Sequence, residues 1–177
     1  ACFAPDYRVS SRQGTDAIDA LHDAQSAYQW VVLKADKFGV DKSQIYVGGG
    51  SAGGHLAAAV AMIPNKSITQ APAGMLLFNP GVDIGRSARI QGLFRNKAVQ
   101  YSPIEYVRPS LPGAWIVHGK ADEVVPYSTV VDFCQRMVSA GNLCKLLGFD
   151  GAGHGFFNAR RPAHDEVLGA LLVHLDP

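Results

Sequence analysis

The sequence predicts an α/β domain, a three-layer sandwich with a mainly parallel sheet. Strand-like and helix-like stretches alternate along the chain, the pattern of strands joined by crossover helices. The strand-like stretches are continuously apolar rather than alternating, as strands are when helices cover both faces. At 177 residues the chain is long enough for one core and short for two, so residues 1–177 are expected to form a single domain.

The elements follow in order. "ACFA" before Pro5 is expected to be a short strand. From Asp16 to Phe38, Ile18, Leu21, Ala24, Tyr28, Val31 and Ala35 recur at steps of three or four and mark one face of an amphipathic helix. Thr15 is its expected cap, and Gly39 stands just past its end. "IYVG" (Ile45 to Gly48) is a short strand, and Ala52 to Met62 a helix of small residues closed by Pro64. "GMLLFNP" (Gly74 to Pro80) and "AWIVHG" (Ala114 to Gly119) are buried strands. A helix over Ser128 to Ala140 ends at Gly141, and "CKLLGF" (Cys144 to Phe149) is the next strand. Val167, Leu168, Leu171, Leu172 and Leu175 form the expected buried face of a terminal helix. Between Gly81 and Gly113 the alternation fails, and this stretch is expected to be a small cap-like insertion at one end of the sheet.

Composition narrows the classes of function. Hydrophobic residues make up 47% and charged residues 18%, as in ordinary globular domains. The net charge is +1 without a Lys/Arg cluster to track phosphates, which speaks against nucleic acid as a partner. No apolar run approaches the ~20 residues that span a bilayer, so no membrane partner is expected. The first residues show neither the basic nor the apolar region of a signal peptide, and no starting Met; the compartment stays open between cytoplasmic and secreted for a soluble chain. Cys2, Cys134 and Cys144 are too few for a disulfide scaffold, and no pair has zinc spacing. Cys134 and Cys144 could pair or stay as two buried thiols.

The chemistry centres on "IYVGGGSAGGHLAAAVAM". Gly49-x-Ser51-x-Gly53 fits a nucleophile elbow, in which a strained strand-to-helix turn lifts a serine hydroxyl clear of the sheet. Glycines are needed because side chains two residues either side would collide, and Gly50 adds to the same turn. The Ala52 amide at the helix start is placed to stabilise an oxyanion. In a chain with 19 glycines the bare pattern is weak, and its placement between a strand and a helix is what strengthens it. A phosphate loop is poorly supported, because no Lys follows.

A nucleophilic serine needs a base, and the base an orienting acid. Asp122 follows the "AWIVHG" strand, with Glu123 as fallback, and could equally cap its turn. His154 follows "CKLLGF" in a glycine-flexed loop and could equally be a surface histidine. Found together in the order Ser, Asp, His, each after its own strand, they outweigh those separate readings. His55 is expected to pack or line the wall, His118 to be structural, and His22, His164 and His174 to lie on helices. Asp150, on the loop of His154, is a weaker acid candidate.

"DYRVS", "GGGSAGGHLAA", "HGKADEVVPY" and "AGNLCKLLGFDGAGHGFFN" resemble carboxylesterases of the α/β-hydrolase superfamily, more narrowly the hormone-sensitive-lipase-like and feruloyl/acetylxylan-esterase-like group. The resemblance implies Ser51 as nucleophile, Asp122 as acid and His154 as base, hydrolysing a small-molecule ester of short acyl chain without metal or cofactor. Position 50 departs from it, being Gly where many relatives carry an acid. It also implies an N-terminally truncated fold that begins near the fourth strand, without the first strands and the upstream HGGG-type oxyanion loop. The "ACFA" strand would then be an exposed edge, and a homo-oligomer covering it is expected. Two other readings are a peptidase of prolyl-oligopeptidase type, which shares the triad order, and a non-catalytic interaction module on the same scaffold.

Overall fold

The computed structural model describes residues 1–85, 88–158 and 164–175. Four strands, β1 (Tyr46–Gly50), β2 (Gly74–Phe78), β3 (Gly113–Gly119) and β4 (Cys144–Phe149), form one parallel sheet in the order β1-β2-β3-β4. Among the described residues six α-helices accompany them: α1 (Ser10–Gln13), α2 (Ala17–Lys34), α3 (Ala52–Met62), α4 (Ala88–Leu93), α5 (Tyr127–Ser139) and α6 (His164–Leu175). Strands that all run one way must be joined by crossovers, and α3 and α5 are two of these.

The main core lies between the sheet and the face formed by α3 and α5. Met75 and Leu77 of β2 and Ala114 and Ile116 of β3 pack there on Ala58, Met62, Val130, Phe133 and Met137, all essentially excluded from water. Val82, Ile104 and Leu111 join the same core, so the segment between β2 and β3 is built into the body of the domain. On the opposite face Trp115, Val117, Leu147 and Phe149 pack with Phe156, Phe157 and Val167 of α6. The small side chains of α3 let it lie close on the strands, while Tyr28 and Val32 of α2 pack beside it on Val60.

Three expectations about the elements are corrected. "ACFA" forms no strand: Phe3 packs on Phe38 rather than entering the ladder, and β1 is the edge strand on that side. A groove of about 1100 Å³ separates Ala1–Pro5 from β1. The cap of α2 is Asp16, not Thr15; its carboxylate accepts the Ile18 and Asp19 amides while the Asp19 carboxylate accepts the Asp16 amide. Asp outcompetes Thr here because the charged acceptor meets the positive end of the helix dipole. Leu168 is half exposed, whereas its neighbour Val167 is buried. The side chains of Leu171, Leu172 and Leu175 lie outside the described residues. Of the two alternatives left open for the later cysteines, the structure has the pair: Cys134 and Cys144 are joined as a disulfide between α5 and β4, with Cα atoms 5.4 Å apart.

Candidate active site

Parallel register brings the C-terminal ends of the strands to one side of the sheet. Gly50 pairs with Phe78, Phe78 with Val117, and Gly119 with Phe149, so the loops that leave β1, β3 and β4 emerge together. Ser51, Asp122 and His154 sit on those three loops.

Ser51 has φ +54°, a conformation costly for a residue with a Cβ, and its amide donates to the Phe78 carbonyl at 2.8 Å. The surrounding ladder and the start of α3 hold the strained turn in place. A Cβ on Gly49 would stand 2.6 Å from the Gly53 carbonyl carbon, so position 49 admits no side chain. A Cβ on Gly53 would meet nothing within 4 Å, contrary to the expected collision. The second tight position is Gly54, whose Cβ would lie 2.9 Å from the Gly49 oxygen and 3.0 Å from Pro80 Cβ. At Gly50, a Cβ would stand 3.3 Å from the Phe157 ring. Ala52 begins α3, which puts its amide in the first turn of the helix next to the Ser51 hydroxyl.

Asp122 is buried, and its two carboxylate oxygens are used differently. Oδ1 accepts the amides of Val124 (2.8 Å) and Val125 (2.9 Å) and so caps the turn. Oδ2 accepts His154 Nδ1–H at 2.7 Å. Burial alone would raise this carboxyl, but the Val125 and Val124 amides and the imidazole overcome it and hold Asp122 below the ordinary carboxylate range. His118 lies behind it, fully buried, with Nε2–H donating to the Val125 carbonyl at 2.9 Å and standing 3.4 Å from Asp122 Oδ2. Burial, against the pull of that carbonyl and of Asp122, keeps His118 below its usual range and therefore neutral.

The His154 loop is fastened to the Asp122 turn by the Ala121 amide, which donates to the Ala152 carbonyl at 3.0 Å. The Ser51 hydroxyl donates to His154 Nε2 at 2.9 Å, completing an unbroken hydrogen-bonded chain from Ser51 to Asp122. Glu123 is exposed and Asp150 pairs with Lys120 at 2.8 Å, so neither competes for the imidazole. His55 is buried beneath the turn; its Nδ1–H donates to the Gly81 carbonyl at 2.9 Å, and burial pushes it down to about 4. His22 is exposed, and His164 donates to the Phe157 carbonyl at 3.0 Å. The side chain of His174 lies outside the described residues.

The sequence reading does not single out two residues beside this chain. Phe157 covers Gly50, and Asn79, directly after β2, lies 3.5 Å from His154 Nδ1. One signal pointed to Asn79: the loops after the other three strands each carry a site residue, and Asn79 is the first residue of the fourth such loop. Among the described residues no helix is long and apolar enough to cross a membrane.

This sheet, elbow and side-chain order are those of a hydrolase of the α/β type, and the chain belongs to the alpha/beta hydrolase fold family, whose model matches residues 1–108. The prolyl oligopeptidase family model matches residues 82–170. Among solved structures, a thermophilic esterase of the planctomycete Thermogutta terrifontis superposes with a TM-score of 0.89 at 36% identity, covering 96% of this chain and 68% of that one. The same esterase phosphonylated by sarin gives 0.90 at 35% identity, with 96% and 70% covered. It has also been solved with propionate and with butyrate bound. Esterase LipC of Mycobacterium tuberculosis is 29% identical over 88% of this chain and 45% of its own length. An acetylxylan esterase of Xylanibacter ruminicola is 26% identical over 97% and 38%. The chain thus spans under half the length of these curated relatives. The resemblance to α/β-hydrolase carboxylesterases read from the sequence motifs holds.

Proposed function

We propose that this protein is a serine carboxylesterase that hydrolyses short-chain acyl esters through an acyl-enzyme. The observation that carries the reading is the Ser51–His154–Asp122 hydrogen-bonded chain, with distances of 2.9 and 2.7 Å. In the proposed reaction Ser51 Oγ attacks the ester carbonyl carbon while its proton passes to His154 Nε2. The carbonyl oxygen gains negative charge and takes a hydrogen bond from the Ala52 amide, aided by the dipole of α3. When the tetrahedral intermediate collapses, the ester C–O bond breaks and His154 gives its proton to the departing alkoxide. Water then attacks the acyl carbon, its proton goes to His154, and the carboxylic acid leaves with Ser51 restored. Asp122 holds the Nδ1–H tautomer, the one that leaves Nε2 free to accept. The small carboxylates bound to the Thermogutta esterase favour a short acyl chain.

The experiment is hydrolysis of p-nitrophenyl acetate and longer p-nitrophenyl esters by the wild type and Ser51→Ala, with fluorophosphonate labelling of both. Ser51→Ala is expected to lose at least about 10⁴-fold in kcat and all labelling; equal rates in the two proteins would remove Ser51 from the mechanism. The match to the prolyl oligopeptidase family model supports a second reading, a peptidase with the same residues in the same roles. Matched ester and anilide substrates separate the two. As part of the same proposal, a second copy pairs along the β1 edge, beside the groove next to Ala1–Pro5. Light scattering on the assayed sample is expected to give a dimer mass, and a monomer at micromolar concentration counts against it.

A further inference from the structure

Ala114, Ile116 and His118 stand on the same face of β3, because side chains alternate along a strand. The first two belong to the main core, whereas the third is a fully buried histidine four residues before Asp122. Its ring packs edge-on against Tyr127 of α5, with centroids 5.7 Å apart. An apolar ring would fill such a place as well, so what the imidazole adds is a directed N–H.

Two oxygens face Nε2, the Val125 carbonyl at 2.9 Å and Asp122 Oδ2 at 3.4 Å. Both only accept, so the ring proton is held on Nε2. Nδ1 is left bare, and it is buried with no hydrogen-bond partner among the described residues. The turn that His118 reaches has little other anchorage in the core: of residues 120–126 only Asp122 is buried. Val125 is the link. Its amide donates to Asp122 Oδ1 at 2.9 Å, and its carbonyl takes the His118 proton. His118 thus fixes the residue that fixes one carboxylate oxygen. It also stands beside the other, which accepts His154 Nδ1–H at 2.7 Å.

We infer that His118 is a positioning residue for Asp122, holding the Asp122–Val125 turn so that Oδ2 stays aimed at His154 Nδ1. The inference rests on the assignment of Asp122 as the acid. Oδ2 faces the imidazole when that ring takes the serine proton, and a carboxylate that swings off this line no longer orients the base. Because Nε2–H is bonded and Nδ1 is not, reach decides which side chains can replace His118. Glutamine carries its amide nitrogen to the place of Nε2, asparagine only to that of Nδ1, and phenylalanine keeps the ring without a donor.

The test measures kcat and KM with p-nitrophenyl acetate for wild type, His118→Phe, His118→Gln, His118→Asn, Asp122→Asn and Asp122→Asn/His118→Phe, and melting curves check folding. His118→Phe is expected to lose roughly 10- to 100-fold in kcat with KM within about twofold. His118→Gln is expected to stay within about threefold of wild type, and His118→Asn to fall with the phenylalanine variant. In the Asp122→Asn background, itself about 10⁴-fold down, His118→Phe should cost no more than about twofold, because the route through the carboxylate is already gone. A His118→Phe kcat within about twofold of wild type overturns the inference. So does an equal fractional loss in both backgrounds, or a glutamine variant as slow as the phenylalanine one. If His118→Phe does not fold, the glutamine and asparagine variants decide, and equal kcat in the two overturns it. If no variant folds, nitrogen–proton correlation spectra of the wild type read the ring directly, and a proton on Nδ1 in place of Nε2 overturns it. A wild type that neither labels with fluorophosphonate nor hydrolyses ester would instead sink the underlying esterase reading.

Discussion

The glycines around Ser51 fall into two kinds, and the difference is measurable. Gly49 and Gly54 are hemmed in by backbone and by Pro80, whereas Gly53 faces open space. Gly49→Ala and Gly54→Ala are therefore expected to cost about 1–3 kcal/mol through overpacking. Gly53→Ala should leave stability unchanged or raise it by up to about 1 kcal/mol, since alanine suits a helix better. Urea unfolding of the three variants checks this, and a Gly53→Ala cost equal to that of Gly54→Ala would contradict the packing. The sequence pattern names Gly53 because spacing is all it records. The steric limit at Gly54 comes partly from Pro80, remote in the chain, and becomes visible only once α3 lies across the end of β2. Ser51, Asp122 and His154 were legible for the opposite reason. Each follows its own apolar strand, and parallel strands deliver their ends to one side of the sheet without further information. Asn79 follows a strand too, but an Asn-Pro pair also reads as an ordinary turn.

At the level of elements, the four strands and the helices α3 and α5 were legible to within two residues, and α2 to within one at its start and four at its end, where a 3₁₀ turn over Ala35–Phe38 takes over, because continuous apolar runs and periodic faces are local properties. "ACFA" misled for a physical reason. An apolar run says that a segment seeks burial, and Phe3 finds partial cover on Phe38 without a ladder partner. Whether two cysteines meet is likewise a tertiary fact. Here α5 returns antiparallel to β4 and brings Cys134 beside Cys144, closing a loop with a sequence separation of 10. In the chain-entropy account such a loop is worth about 3 kcal/mol. Reduction with dithiothreitol, or Cys134→Ala/Cys144→Ala, is expected to lower the unfolding free energy by about that amount. Ester hydrolysis should survive, because the His154 loop is also held by the Ala121–Ala152 hydrogen bond and the β3–β4 ladder. Urea unfolding and an ester assay on the same reduced sample separate the two effects; loss of activity before unfolding would show that the disulfide also sets the loop.

For the molecule as a whole, the buried histidine of α3 makes stability depend on pH in a window that the carboxylates do not share. His55 is buried and neutral, pushed down from 6.5 to about 4, whereas in the unfolded chain it titrates at its ordinary value. Between those two pH values the unfolded state binds the additional proton, so stability rises with pH across the window and falls as pH drops through it. The full effect is roughly 3 kcal/mol and is complete once pH reaches the folded value. His118 acts in the same direction, since it too is held below its ordinary range by burial. Asp122 has the opposite charge type: its folded value lies below 3.8, so its stabilisation is present above that and is lost only as pH falls further. A loss of stability between about pH 6.5 and about pH 4 is therefore assigned to the histidines, and His55→Gln should flatten it while leaving the more acidic limb in place. Urea midpoints measured from about pH 4 to about pH 7 on both proteins decide the point. Parallel curves for wild type and His55→Gln would mean that His55 meets a proton partner in the folded state, and that burial against the Gly81 carbonyl's opposing pull is not enough to keep its ring neutral.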